Sequence, residues 1–424
     1  MIINYIKTSV KEEANREAIL NLYPYFSDFV PKVPEGTDLG TLCEIIRTLD
    51  TSQWNDPSGE SSWVAIESKD MFLKAIQNTY PEMKEYKLMS QVTDLKGMAV
   101  SIFQRGENNY SVAYRGTGTG EWIDDGEALS GIPESNTYYS YDKYGNIIAQ
   151  KEVQSEYVSD QQAAALNWFE KMSAKYGWTE ETDLVVSGHS KGGNNAQIVT
   201  MYSGLVDTCI SLDGEGFSPE AINQFREQFG DAEYEKRIQK MHSFAAYEDY
   251  VNVAGDRLIP KNQLYFFEAP NAEGNFQNNH CPYIYLNDNG QFNTQCEQGE
   301  ISKSIQQLSE RLMALPPEER ANATLAGMFW AQLLVGKDTP VNGDTVSTTQ
   351  IVAGTGDLLY EMADSDTLIN SVFKDYNGDK DSIDVDNLTN KFKNILLLGA
   401  SVLAKGEFFT QCSVYLEGQR QKPS

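Results

Sequence analysis

The sequence predicts an α/β fold: a doubly wound, mostly parallel sheet with helices on both faces, followed by an all-helical C-terminal module. Three observations carry this. Between Gly97 and Glu268, short apolar runs of strand character alternate with stretches of helical periodicity. One run, Leu184-Val185-Val186, ends in Gly188-His189-Ser190-Lys191-Gly192 and leads into a helical stretch, Asn195 to Tyr202. After about Glu300 the strand signals stop and helical spacing takes over.

Residues 1 to about 90 read as helical and polar, broken at Pro31, Pro34 and Pro57. Met98–Phe103 and Tyr110–Tyr114 read as strands joined by a hairpin over Gly106–Asn109. The second strand ends in the glycine-rich run Arg115-Gly116-Thr117-Gly118-Thr119-Gly120. Ser159 is placed to N-cap a helix that ends near Gly177, with Ala165, Phe169, Met172 and Tyr176 on one face. The strand and helix around Ser190 follow. Val206–Leu212 is the next strand and runs into Asp213-Gly214-Glu215-Gly216-Phe217. Ser218-Pro219 opens another helix, with proline at its first position. Ile238–Ala245 and Leu264–Glu268 are the last strands.

In the C-terminal part Ile301, Ile305, Leu308, Leu312 and Leu315 recur at helical spacing. Pro316-Pro317 opens a helix running to Val335, and further helices are expected from Thr345 to about Gly418. The expected division is therefore an α/β domain over residues 1–298, including its helical N-terminal segment, and a helical module over 299–424.

Composition narrows the possible partners. The 424 residues include 34 basic and 61 acidic ones, a net charge of −27. Such a charge repels nucleic acid and anionic membrane surfaces. Cys43, Cys209, Cys281, Cys296 and Cys412 are odd in number, scattered and without a C-x-x-C pair. They suggest neither a disulfide framework nor a zinc site, and free thiols in a reducing compartment are expected. The N-terminus lacks the apolar core of a signal peptide, and the longest apolar stretches, 323–335 and 395–404, are too short to span a bilayer. Cytoplasmic residence is the expectation, with export lacking a classical signal left open. Asp375, Asn377 and Asp379 match the start of a calcium loop. Lys380 stands where that loop needs glycine and no glutamate closes it, so 375–386 reads as an acidic solvated connection, and no metal is expected.

The G-x-S-x-G pattern carries the chemistry. A serine on a sharp strand-to-helix turn needs glycines beside it, because strand and helix pass too close for a Cβ. The helix opening behind it points backbone N–H groups at whatever Ser190 attacks. A serine hydroxyl also needs a base. Three histidines are available. His189 lies inside the turn and cannot reach its neighbour's hydroxyl. His242 lies within a strand. His280, in the polar loop from Gly274 to Pro282 after the last parallel strand, is the choice. The orienting acid should end a strand between the two, and Asp249 is chosen over Asp213 and Glu248. The backbone N–H of Lys191 and one from the Arg115–Thr117 loop are the candidate oxyanion donors. The Lys191 side chain is expected in solvent, as most lysines are.

These segments together resemble the lipase class 3, or fungal-lipase-like, branch of the α/β hydrolases. The resembling pieces are the Tyr114–Thr117 loop with Trp122 after it, the Gly-His-Ser turn and Asp249-Tyr250-Val251. More closely, Gly188-His189-Ser190-Lys191-Gly192-Gly193-Asn194 with Asp213–Phe217 is similar to a bacterial lipase-like family of unknown physiological role. The likeness covers roughly residues 90–290. It implies an α/β-hydrolase domain with Ser190 as nucleophile, Asp249 as acid, His280 as base and Thr117 and Lys191 as oxyanion donors. The segment from Trp122 to about Val153, holding Tyr138, Tyr139, Tyr141 and Tyr144, would correspond to a lid or to an ordinary hairpin. Three departures stand out: Lys191 in place of an apolar residue, Glu215 where proline is expected, and the helical tail.

The expected function is hydrolysis of carboxylic esters, lipid or lysolipid esters among them, without a cofactor. Acyl transfer on the same residues is the alternative enzyme. A non-catalytic scaffold that docks protein partners through its C-terminal helices is the alternative binding role.

Overall fold

The computed structural model describes residues 3–54, 62–93, 97–117, 122–151, 156–270, 276–334, 353–355 and 357–358. The helices expected beyond Thr345, apart from those few residues, and the acidic stretch 375–386 lie outside the described residues.

Among the described residues nine strands form one sheet: β1 (Thr37–Asp38), β2 (Lys87–Thr93), β3 (Ala99–Gly106), β4 (Asn109–Tyr114), and then, after a separate hairpin of β5 (Tyr138–Tyr141) and β6 (Ile147–Lys151), β7 (Asp183–His189), β8 (Thr208–Leu212), β9 (Met241–Ala246), β10 (Leu264–Phe267) and β11 (Gln295–Cys296). The spatial order is β1-β2-β3-β4-β7-β8-β9-β10-β11. The five strands from β4 to β10 are parallel, and antiparallel strands flank them on both edges. Their C-terminal ends lie side by side, with Tyr114 opposite Gly188, His189 opposite Leu212, Leu212 opposite Phe244 and Ala246 opposite Phe267. Loops leaving these ends therefore share one edge of the sheet, where sites in such sheets form.

β7 reads as a continuous apolar run because both its faces are covered. Leu184 and Val186 join one core and Val185 the other. The first core is lined by the crossover helices α5 (Asp160–Tyr176), α6 (Lys191–Tyr202) and α7 (Pro219–Ile238). Parallel strands that follow one another across a sheet with right-handed crossovers place those helices on one face. The other face is covered by α1 (Thr8–Leu20), α2 (Leu39–Arg47) and α3 (Ser62–Asn78). The described residues among the first 90 are thus mostly helical as expected, apart from β1 and the start of β2, but half of a core rather than polar. Ala14, Ala18, Ile19, Leu20, Tyr23 and Phe26 are buried there, and so are the polar Asn15, Glu17 and Asn21, which disguise the stripe in the sequence.

The local signals account for the helix ends. Ser159 and Gln162 form a reciprocal capping box on α5, and Gly177 ends that helix at φ 66°. The Ser218 hydroxyl accepts from Ala221 N at the start of α7, with Pro219 in the first turn. The segment compared with a lid holds α4 (Trp122–Ser130) and the β5–β6 hairpin. The hairpin is tied to α5 through Asn167, which accepts from Tyr139 N and donates to Thr137 O.

Two further helices, α8 (Glu300–Met313) and α9 (Pro317–Leu334), dock onto the sheet domain. At the start of α8, Gly299 N donates to Tyr247 O and Ser302 N to Glu248 Oε2, while Ser309 Oγ accepts from Gly255 N. On α9 the buried Arg320 donates to Ser130 O at 3.0 Å and to Met313 O at 3.0 Å, and it pairs with Glu220. Thr324 Oγ1 donates to Gly126 O of α4. Among the described residues, no helix is long and apolar enough to cross a membrane.

Candidate active site

The turn between β7 and α6 puts Ser190 at φ 60° and ψ −129°, a strained position for a residue with a side chain. The flanking glycines make the turn possible. A Cβ on Gly188 would lie 2.1 Å from Gly192 O, and one on Gly192 would lie 2.3 Å from Tyr114 O. Ser190 N donates to Leu212 O, and Ser190 O accepts from Gly193 N, which fixes the turn between β8 and α6.

His280 ends a short 3-10 turn (Phe276–His280) beyond β10, and its Nε2 lies 2.7 Å from Ser190 Oγ. Its Nδ1 lies 2.6 Å from Asp249 Oδ2. Asp249 follows β9, is fully buried, and accepts from Val251 N at 2.9 Å and Asn252 N at 2.6 Å through its other oxygen. With both its oxygens engaged, the carboxylate is fixed in orientation, and with it the imidazole. A hydroxyl, an imidazole and a carboxylate in this order can move a proton from the serine to the ring while the acid steadies the imidazolium.

The rival residues lie elsewhere. His242 sits near the opposite, N-terminal end of its strand, stacked on Tyr265, with burial pushing its pKa down to about 4. Asp213 accepts from Ala246 N at 2.8 Å, and burial together with the nearby Asp249 charge raises its pKa well above the carboxylate range. Its free oxygen is 3.8 Å from His189 Nε2, too long for a hydrogen bond. Glu248 caps α8 through Ser302 N. Ligand atoms of His189, Asp213 and His280 lie within 4.8 Å of one another, the cluster among the described residues closest to a metal site. Both His280 nitrogens are already engaged, so a cation there would have to displace Ser190 or Asp249.

His189 points the other way from Ser190. Its Nδ1 meets Tyr25 Oη at 2.6 Å, and burial with repulsion from His280 keeps the ring neutral, its pKa well below 6.5. Tyr25 Oη also accepts from Gly116 N at 3.1 Å. Tyr25 therefore ties the N-terminal segment both to the turn and to the loop after β4. Nothing in the sequence marks this tyrosine among the chain's 23.

The Lys191 side chain is not in solvent. It is fully buried, with Nζ 2.8 Å from Asp124 Oδ2, 3.1 Å from Glu215 Oε1, 3.8 Å from Asp125 Oδ1 and 3.1 Å from Asp124 O. These carboxylates outweigh the penalty of burial and raise its pKa. Burial and mutual repulsion push Asp125 and Glu215 upward in turn, with Lys191 opposing. Thr117 Oγ1 donates to Asp125, at 3.0 and 2.9 Å from its two oxygens. Lys191 is the first residue of α6, so its backbone N–H has no acceptor within the helix. Asp124, Asp125 and Glu215 went unassigned in the sequence. The available signal was the pair of departures, a lysine and a glutamate of opposite charge at two unexpected places.

No family model matches the sequence, and no curated protein is significantly similar to it. Solved structures give distant likenesses. Lip2 lipase from Yarrowia lipolytica is 13% identical, with 64% of this chain and 83% of that one covered, at a TM-score of 0.35. M37 lipase is 13% identical over 84% and 93%, at a TM-score of 0.32. A Rhizomucor miehei lipase propeptide complex is 10% identical over 68% and 81%, at a TM-score of 0.35.

Proposed function

We propose that this chain is a serine hydrolase of carboxylic esters. The observation that carries the reading is the continuous contact from Asp249 through His280 to Ser190, at 2.6 and 2.7 Å, on the C-terminal edge of the parallel strands. Ser190 Oγ attacks the acyl carbonyl while His280 Nε2 takes its proton. The carbonyl oxygen, now negative, is received by the backbone N–H groups of Lys191 and Thr117. Collapse expels the alcohol, which takes the proton from His280, and leaves the acyl group on Ser190. Water then attacks that acyl-enzyme with His280 again as base, and the acid departs. Asp249 holds the ring in the tautomer that leaves Nε2 free to accept, and it balances the imidazolium.

The test is active-site labelling. A fluorophosphonate probe should modify the wild-type chain at Ser190 and leave Ser190→Ala unmodified. The same substitution should remove turnover of soluble p-nitrophenyl esters, with circular dichroism and melting temperature unchanged. An alanine variant that still turns over, or a label on another serine, would sink the assignment. A panel of acyl chain lengths on the wild type then defines the substrate class.

A further inference from the structure

We infer that Lys191 is a positioning residue for both oxyanion donors: its backbone N–H is one of them, and its buried ammonium anchors the loop that carries the other. The inference deepens the proposed function and rests on it. The chain of contacts runs through named atoms. From the first position of α6 the Lys191 side chain reaches the first turn of α4, where it meets the Asp124 carboxylate and carbonyl and approaches Asp125. Asp125 accepts the Thr117 hydroxyl with both oxygens within 3.0 Å. On the other side Gly116 N is already bound to Tyr25 Oη. The Thr117 segment is thus held at two points, one leading through Asp125 to Lys191 and the other through Tyr25 to His189, the two neighbours of the nucleophile.

A surface lysine would give no such control. This one has no exposed area, and its three carboxylate partners belong to two different segments, α4 and the loop after β8 that carries Glu215. Asp124 also accepts from Ser159 Oγ at 2.9 Å and Gln161 N at 3.0 Å, so the cap of α5 joins the same cluster. A single cation therefore sets the spacing between the start of α6 and α4. Repulsion among Asp124, Asp125 and Glu215 would open that spacing without it. An oxyanion hole works only when its donors sit where the charge will develop, so a shift of Thr117 costs rate rather than substrate affinity.

The experiment uses the full chain and a soluble ester. Wild type and Ser190→Ala come first, since an inert wild type would overturn the proposed function and this inference with it. Given an active wild type, Lys191→Met and Thr117→Val should each lower kcat about 10- to 100-fold with KM little changed, less than the ~10²–10³ typical for outright loss of a donor. Thr117→Ser, which keeps the hydroxyl, should recover most of the kcat that Thr117→Val loses. The double variant Lys191→Met/Thr117→Val should fall no further than the worse single one, because both cut the same link. Lys191→Met leaves three carboxylates without their cation, so a folding-safe partner is included: Lys191→Met/Glu215→Gln restores the formal charge and should melt near wild type yet keep the kcat loss. Wild-type kcat in that compensated variant or in Thr117→Val, or effects that multiply in the double variant, would overturn the inference.

Discussion

Glu17 gives a stability prediction whose size follows from its surroundings. This residue of α1 is fully buried beneath the sheet. It accepts from Ser187 Oγ of β7 at 2.6 Å and from the hydroxyl of Ser111 on β4, while Asn21 donates to the same Ser187 oxygen at 2.6 Å. Burial raises its pKa from 4.5 to about 7, with Arg105 opposing and Glu13 adding to the rise. Below 4.5 both the folded and the unfolded chain hold the proton. Between 4.5 and 7 the folded chain keeps a proton that the unfolded chain has lost, so stability falls as pH rises through this window. Above 7 both are ionised and the loss is complete. A shift of 2.5 units, the difference between those two values, corresponds to roughly 3 kcal/mol. Glu127, at about 8, and Glu134, at about 7, lose stability in the same direction. A direct comparison with Glu17→Gln isolates the Glu17 share, because the amide stays neutral and still offers an oxygen to a serine. Urea unfolding at pH 4.5 and pH 8.5 should show wild type losing roughly 3 kcal/mol more than Glu17→Gln across that interval. Parallel losses in the two proteins would refute the reasoning.

The remaining predictions concern the site. His280→Ala should lower turnover by about four to six orders of magnitude, as serine-hydrolase triads do when one member is removed, and the double variant with Ser190→Ala should lose little more. His242→Ala should leave ester turnover within a few-fold of wild type, since that ring lies at the other end of β9; an inactive His242→Ala would move the base. Asp249→Asn should keep the fold and lose about 10⁴ in kcat, because the imidazole tautomer is no longer fixed. Asp213→Asn should be much milder, and the reverse ranking of the two aspartates in steady-state kinetics would shift the acid to the earlier strand.

Much of this architecture was legible because local rules and tertiary structure agree. The run Leu184–Val186 is apolar since both faces of β7 are covered, and the Ser159 cap, the Gly177 stop and the Ser218-Pro219 start all stand where the residues suggest. The meeting of Ser190, His280 and Asp249 was legible from chain order, because each leaves the same edge of the sheet. Other features escaped for physical reasons. β1 and β11 are two residues long and exist only through their neighbours, so they leave no periodicity. The face buried by α1 carries Glu17 and Asn15, which mask its stripe. Lys191 was misread because base rates put lysines in water, and only a partner more than twenty residues away could reverse that.

Three of the four loops that form the site are each anchored by an element outside the parallel strands. Tyr25, between α1 and α2, holds Gly116 and His189. α4, clamped by Arg320 and Thr324 of α9, supplies Asp124 and Asp125 to Lys191. α8 takes the Glu248 carboxylate on Ser302 N in its first turn, one residue before Asp249, and Ser309 receives Gly255 N further along the same loop. A carboxylate at a helix N-terminus is favoured by the helix dipole, so α8 fixes the backbone from which Asp249 reaches His280. A parallel sheet supplies the strand ends but leaves their loops free at one side. Here Tyr25 of the N-terminal segment and the helices α8 and α9 hold loops on that side. The groups proposed to react thus stand in position before substrate arrives, which is the condition under which fixed dipoles and hydrogen bonds lower a barrier most. By this argument α8 and α9 support the proposed site as much as the strands do, although neither contributes one of the groups proposed to react.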